Sequence, residues 1–278
     1  MQLTELLKAI LFGIVEGITE WLPISSTGHM ILLNELLPFT SISEEFYSVF
    51  EVVIQLGAIL AVVVLFWHKI WPLGRNAETG RVEIKAPIID LWIKILIACV
   101  PAAIIGVLFD EVFERLFYNY VSVAIALIVF GVAFIVVENA HKGKKPRIRS
   151  LARIDYRIAL YIGAFQVIAA VFPGTSRSGA TIVGALMLGV SRKVAAEFTF
   201  FLAIPVMFGA SLLKLVKFGF AFTGGELVIL LLGMVVAFAV SILVIKFLMD
   251  YIKKHDFKVF GWYRIALGLL VLGYFLLK

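Results

Sequence analysis

The chain alternates between long apolar runs and short polar segments. A helix that crosses the hydrocarbon core of a bilayer needs about 20 apolar residues, and six runs reach this length. They predict membrane-spanning helices over about 46–67, 91–109, 119–138, 194–216, 226–248 and 261–277.

Two further apolar regions, 6–37 and 158–190, are interrupted near their middle. Pro23 breaks the first and Pro173 breaks the second, and hydroxyl residues follow each proline. Each half is too short to cross a membrane alone. Non-helical backbone is tolerated at membrane depth only where protein or water surrounds it. We therefore expect two re-entrant helix hairpins rather than four additional spans.

The two interrupted regions resemble each other at an offset of 150 residues, which aligns Pro23 with Pro173 and Ser26 with Ser176. The predicted order is hairpin, three spans, hairpin, three spans. Because three is odd, the second half must enter the membrane in the opposite orientation. The prediction is an all-α polytopic membrane protein in which six transmembrane helices and two re-entrant hairpins form an inverted-topology repeat.

We expect a single integral membrane domain over 1–278. Its first repeat covers about 1–140 and its second about 158–278, and a basic cytoplasmic loop at about 139–157 joins them. The same plan occurs in transporters, so a secondary transporter or lipid flippase is an alternative to an enzyme.

Composition agrees with a membrane location. Hydrophobic residues make up 62% of the chain and charged residues 16%, whereas soluble domains are about half apolar and about a quarter charged. Cys99 is the single cysteine, which excludes an intrachain disulfide and a multi-cysteine metal site.

The net charge of +6 comes from basic residues between the apolar runs. The loops predicted on one side contain nineteen Lys and Arg residues, including Lys94 and Arg264, and the loops on the other side contain three. By the positive-inside rule the basic loops face the cytoplasm and both termini face outward. This distribution indicates membrane orientation and no nucleic-acid partner. The cluster at 142–157 could also bind anionic membrane lipids.

Glu16 and Glu20 are four residues apart and share one face of the first helix. The pair could ligate a divalent cation or supply a base, or it could be a structural pair bonded to the other hairpin. Ser25, Ser26 and Thr27 follow at the start of the next half-helix, where capping is their ordinary role. His29 shares a helical face with Ser26, and either His29 or Glu20 could accept the proton of the Ser26 hydroxyl.

The second tip has the features of an anion site. Gly174 allows the backbone to turn, and the hydroxyls of Thr175, Ser176 and Ser178 lie beside the first amides of the next helix. Arg177 adds a planar guanidinium that suits phosphate. The alternative is an arginine bound by carbonyls or by Glu16 and Glu20.

These motifs resemble the bacitracin-resistance family of undecaprenyl-diphosphate phosphatases. The resemblance rests on the Glu16–Glu20 spacing, the Ser-Ser-Thr-Gly-His run at 25–29 and the motif from Pro173 to Thr181. It implies catalytic roles for Glu16, Glu20, Ser26, His29 and Arg177. It also places Thr27, Ser176, Ser178 and Thr181 in the phosphate site. The anion site predicted at the tips adds Ser25, Gly174 and Thr175 to this set.

The resemblance further implies hydrolysis of undecaprenyl diphosphate to the monophosphate and inorganic phosphate in the bacterial cytoplasmic (inner) membrane. This reaction recycles the lipid carrier of cell-wall synthesis and confers resistance to bacitracin. A divalent cation, Mg²⁺ or Ca²⁺, is expected, with Glu16 and Glu20 as its ligands. The expected partners are the prenyl diphosphate lipid and membrane lipids, and a homodimer is left open.

Overall fold

The computed structural model describes residues 3–75, 81–117 and 119–277. Helices account for nearly all of this part of the chain. In chain order the elements are α1 (Leu3–Thr19), α2 (Ser26–Leu36), α3 (Glu44–Leu65), α4 (Trp67–Ile70), β1 (Leu73–Arg75), β2 (Val82–Ile84), α5 (Ala86–Phe117), α6 (Tyr120–His141), a 3₁₀ turn (Leu151–Arg153), α7 (Tyr156–Val171), α8 (Arg177–Met187), α9 (Arg192–Phe218), α10 (Gly224–Tyr251) and α11 (Lys258–Leu277).

Six of the described helices are long and apolar enough to cross a membrane: α3, α5, α6, α9, α10 and α11. They coincide with the six predicted spans, so the all-α polytopic fold is confirmed. Both interrupted regions contain two helices joined by a short polar tip, α1 with α2 and α7 with α8. Re-entrant entry of these pairs, the sidedness of the loops and the division into two repeats stay predictions.

The structure corrects the placement of two basic residues. Lys94, expected in a cytoplasmic loop, lies in α5, where its side chain is buried and pairs with Asp90 at 2.5 Å. Arg264 was also assigned to the basic side, but it lies in α11 with no exposed surface. A charged side chain can stay inside an apolar helix when protein groups neutralise it or accept its hydrogen bonds.

The loop between α3 and α5 contains a feature that was not predicted. β1 and β2 form a small antiparallel sheet in which Leu73 is opposite Ile84. The apolar side chains of these strands are exposed. α5 then begins at Ala86, five residues before the expected start of the span at 91.

The two halves of the chain interlock. α1 packs along α10 and α7 packs along α5, so the first helix of each half lies against a long helix of the other half. α3 also packs against α9, and α6 packs against α11. Each polar tip is therefore held by elements from both halves.

The crossing of α6 and α11 brings Gly131 and Gly261 into close backbone contact. A Cβ on Gly131 would lie 2.7 Å from the carbonyl oxygen of Gly261, and a Cβ on Gly261 would lie 2.7 Å from that of Gly131. Distances this short are below van der Waals contact, and the atoms concerned belong to the backbone. The helix pair therefore depends on the absence of both side chains.

Gly261→Ala should lower the free energy of unfolding by about 1–3 kcal/mol, because the two backbones must separate to admit a methyl group. Gly273→Ala is the matched control in the same helix, since no atom lies within 4 Å of its Cβ. The control should be neutral or slightly stabilising. Thermal unfolding of the purified variants in detergent measures both, and equal midpoints would contradict the account of this crossing.

Candidate active site

Each tip ends at a serine that caps the following half-helix. The Ser25 hydroxyl accepts from the backbone N–H of Gly28 at 3.3 Å, and the Ser176 hydroxyl accepts from that of Gly179 at 3.1 Å. Both serines have a positive φ, 75° and 71°, in a region that non-glycine residues rarely occupy. Such strain persists only where surrounding contacts impose it. Ser25 therefore has the capping role that its position in the sequence predicts.

The two caps show that the tips align at an offset of 151 residues, one more than expected from the sequence. Ser25 is equivalent to Ser176, and the next residues, Ser26 and Arg177, each open a half-helix. The offset of 150 had matched Ser26 with Ser176.

The carboxylate of Glu20 joins the two tips. Its Oε2 accepts from the Ser26 hydroxyl at 2.8 Å, and its Oε1 accepts from Nη2 of Arg177 at 2.8 Å. Glu20 is only 6% exposed, so these charge-assisted bonds form away from bulk water, where they are strong. The first residues of the two half-helices thus share one carboxylate.

Further hydrogen bonds hold the second tip against the first. The Ser178 hydroxyl donates to the backbone oxygen of Glu20 at 3.2 Å and lies 3.1 Å from the Ser176 hydroxyl. Nη1 of Arg177 donates to the backbone oxygen of Thr199 in α9 at 3.0 Å. The guanidinium is therefore bound by a carboxylate and by a carbonyl. These are the two kinds of partner that the sequence analysis gives as alternatives to phosphate.

Thr181 lies one turn below this contact. Its hydroxyl donates within α8 and lies 2.9 Å from the Thr199 hydroxyl. Thr181 has no exposed surface. Its observed contacts connect α8 to α9.

Arg264 connects the backbones of both tips from α11. Its Nη1 donates to the carbonyl of Pro23 at 3.2 Å, and its Nη2 donates to the carbonyls of Gly174 at 2.9 Å and Thr175 at 2.6 Å. Pro23 and Gly174 are equivalent at the offset of 151. The side chain is completely buried, so one guanidinium fixes the same carbonyl in each tip.

His29 is bonded away from Ser26. Its Nδ1 lies 2.7 Å from the backbone oxygen of Ser25, and its Nε2 lies 2.7 Å from the hydroxyl of Tyr263. The shared helical face predicted for Ser26 and His29 exists, but the proton of Ser26 is directed to Glu20.

Glu16 is completely buried, and neither of its carboxylate oxygens has a hydrogen-bond partner in the described part of the chain. Glu20, Glu51 and Arg177 are close enough for their charges to act on it. Gln166, which matches Glu16 at the sequence offset of 150, is also buried with unpartnered side-chain atoms. The Thr175 hydroxyl is likewise buried without a partner among the described residues.

The structure therefore brings most of the predicted site residues to one place. Glu20, Ser26, Arg177, Ser176 and Ser178 form a continuous hydrogen-bond network. Thr27 lies half-buried in the first turn of α2.

Sequence reasoning missed three contributors: Thr199, Tyr263 and Arg264. The available signal for Arg264 was its position inside the predicted span 261–277, where a charge is costly unless it has a role.

The arrangement suits chemistry on a phosphate ester or anhydride. A serine hydroxyl donates to a carboxylate that can accept its proton. A guanidinium and the free amides of two helix N-termini lie alongside and can stabilise negative charge on oxygen.

Comparison with known proteins agrees with this chemistry. The profile described as "Bacitracin resistance protein BacA" matches residues 9–270. An undecaprenyl-diphosphatase of Desulfitobacterium hafniense is 65% identical over 275 residues, which cover 99% of this chain and 98% of the relative. Undecaprenyl-diphosphatase 1 of Clostridium acetobutylicum is 63% identical over the full length of both chains. A relative of the same name from Enterococcus faecalis is 60% identical over 96% of each chain. The chain therefore belongs to the BacA bacitracin resistance family.

Proposed function

We propose that this protein hydrolyses undecaprenyl diphosphate to undecaprenyl phosphate and inorganic phosphate. The observation that carries the proposal is the Glu20 carboxylate, which binds the Ser26 hydroxyl and the Arg177 guanidinium at 2.8 Å each. Relatives that match almost the whole chain are named for this activity. The family and the six apolar helices identify a multi-pass protein of the bacterial inner membrane, where a lipid diphosphate is available.

In the proposed mechanism Ser26 attacks the terminal phosphorus. Its proton passes to Glu20, the bond from Ser26 Oγ to phosphorus forms, and the anhydride bond breaks, so that the lipid monophosphate leaves. Water then cleaves the phosphoserine, and Ser26 recovers its proton from Glu20. The observed bond from Ser26 to Glu20 supports this carboxylate, rather than His29, as the base of the first step.

The phosphate oxygens would bind at the half-helix N-termini. Arg177 supplies a charged fork there, and Thr27, Ser176 and Ser178 supply hydroxyls. The caps Ser25 and Ser176, with the turn at Gly174, orient the free amides. Thr181 connects α8 to α9 through the Thr199 hydroxyl, and the backbone oxygen of Thr175 accepts from Arg264.

The acidic residues of the first tip fit a divalent cation. Both oxygens of Glu16 are buried without partners in the described residues, and Glu20 lies one helical turn further on. No three His, Cys, Asp or Glu residues of the described part form a complete metal cluster. Mg²⁺ commonly binds one or two carboxylates and completes its coordination with water and substrate phosphate. Glu16 and Glu20 would hold such an ion, and it would offset the negative charge of the diphosphate.

Phosphate release from undecaprenyl diphosphate by the purified protein in detergent tests the function. We expect turnover that a chelator abolishes and added Mg²⁺ or Ca²⁺ restores. Hydrolysis needs no second compartment, whereas transport does. Binding of the lipid without phosphate release, together with movement of the lipid across reconstituted vesicles, would favour the transporter or flippase instead.

Ser26→Ala tests covalent catalysis. We expect kcat to fall by at least about 10³-fold, as when a nucleophile is removed, while lipid binding changes little because Arg177 and the helix N-termini remain. The wild type should accumulate phosphoserine at position 26 in a rapid-quench experiment read by mass spectrometry. A Ser26→Ala rate within about tenfold of the wild type, with no phosphoserine, would indicate direct attack by water.

A further inference from the structure

The short sheet between α3 and α5 has an apolar face and a polar face. Directly opposite residues of paired strands point to the same side, and successive residues alternate between sides. The register places Leu73, Val82 and Ile84 on one face, with Arg75 at its outer end, and Glu83 on the other face. The three apolar side chains are 42%, 70% and 68% exposed. The described part of the chain therefore leaves the apolar face open.

Two exposed tryptophans precede the sheet. Trp67 and Trp71 are four residues apart, and their rings stack with 4.4 Å between centroids. Both are exposed, whereas Ile70 between them is buried. The five exposed apolar side chains of this segment are called the hairpin surface: Trp67, Trp71, Leu73, Val82 and Ile84.

Hydrogen bonds hold this segment against α5. Nε1 of Trp92 in α5 donates to the backbone oxygen of Ile70 at 2.7 Å. At the base of the sheet the backbone N–H of Lys85 donates to the backbone oxygen of Pro72 at 2.7 Å. The sheet and α4 therefore cannot swing away from the membrane-spanning helices without breaking these bonds.

Chain connectivity places the hairpin surface beside the lipid headgroups. α3 has 22 residues, which at about 1.5 Å per residue is about the thickness of the hydrocarbon core. Trp67 lies two residues after the end of α3, and Ile84 lies two residues before the start of α5. A chain advances at most about 3.6 Å per residue, so each is within about 7 Å of a membrane-spanning helix. The headgroup region extends about 5–8 Å beyond the hydrocarbon core on each side.

The chemistry of the segment fits a lipid surface better than a protein partner. Tryptophan rings favour the boundary between hydrocarbon and water. Arg75, Arg81 and Lys85 are exposed around the sheet, and basic groups beside a membrane are attracted to anionic headgroups. A stable protein interface uses about 20–30 residues a side, whereas the hairpin surface consists of five side chains.

We propose that the β1–β2 hairpin is a membrane-surface anchor. Leu73, Val82 and Ile84 insert among the lipid headgroups, the opposite face with Glu83 stays in water, and the basic residues around the sheet bind anionic headgroups. Each strand has three residues, and a two-stranded hairpin alone is marginally stable in water. The lipid interface supplies the second layer against which the apolar face packs. This role is independent of the proposed reaction.

Fluorescence of a bimane probe on single cysteines tests the anchor in nanodiscs that contain one copy of the chain. Ile84→Cys and Glu83→Cys, each made in a Cys99→Ser background, place the probe on opposite faces of one strand. The bilayer contains phosphatidylglycerol and a lipid spin-labelled close to its headgroup, which quenches shallow probes. Iodide in the buffer quenches probes that face water. Val82→Cys repeats the measurement on the apolar face, and Ile93→Cys, exposed within α5, is the control for lipid contact.

We expect the spin-labelled lipid to quench the probe at position 84 at least about twofold more than the probe at 83, because adjacent strand residues face opposite sides. Iodide should show the reverse order. Replacement of phosphatidylglycerol by phosphatidylcholine should weaken the quenching by lipid at position 84, since the anionic headgroups are lost. The melting temperatures should equal that of the Cys99→Ser background, because the replaced side chains are exposed.

Equal quenching by lipid at 83 and 84, or iodide access at 82 and 84 as high as at 83, would overturn the anchor. Unchanged quenching in phosphatidylcholine would overturn the role of the basic residues. Shielding of position 84 that appears only when two copies share a nanodisc would identify a second copy of the chain as the partner and contradict the proposal.

Discussion

The site depends on a buried positive charge that is bonded to three backbone carbonyls. Arg264 has no exposed surface, and its guanidinium donates to Pro23 in one tip and to Gly174 and Thr175 in the other. A buried charge is tolerated only when neighbouring groups replace its hydration. The tips in turn consist of irregular backbone whose carbonyls need donors. The tip carbonyls replace the hydration of the guanidinium, and the guanidinium supplies the donors that these carbonyls need. The two halves of the chain are thereby fixed together at the point where the reaction is proposed to occur.

The same backbone plan serves different chemistry in the two tips. Both half-helices begin after a strained serine cap, yet the following residue is Ser26 in one and Arg177 in the other. Glu20 binds both, one through each carboxylate oxygen. A near-symmetric frame thus brings an uncharged hydroxyl and a permanent cation to one carboxylate. In the proposed reaction these are the nucleophile, the phosphate ligand and the base.

Much of the fold was predictable, because six long apolar runs at membrane length leave few alternatives. The polar tips were predictable as well, since Pro23 and Pro173 interrupt such runs. The contributions of α11 were not, because Tyr263 and Arg264 carry no local motif and reach the tips only through tertiary packing. Helical spacing relates His29 to Ser26 on one helix but gives no position for Glu20, so the sequence left both residues open as the base that accepts the Ser26 proton.

The central claim is that Glu20 and Arg177 act as one unit across the two tips, and a double-mutant cycle on kcat/KM tests it most directly. Arg177→Lys keeps the charge but loses the planar fork. We expect a loss of at least about tenfold, or about 1.4 kcal/mol, in the wild-type background, and little further loss in a Glu20→Gln background. Arg192→Lys is the control, because the Arg192–Glu138 pair is an ion pair that contains no predicted site residue, and it should leave kcat/KM unchanged. Equal losses from Arg177→Lys in both backgrounds would show that the two residues act independently and would contradict the account.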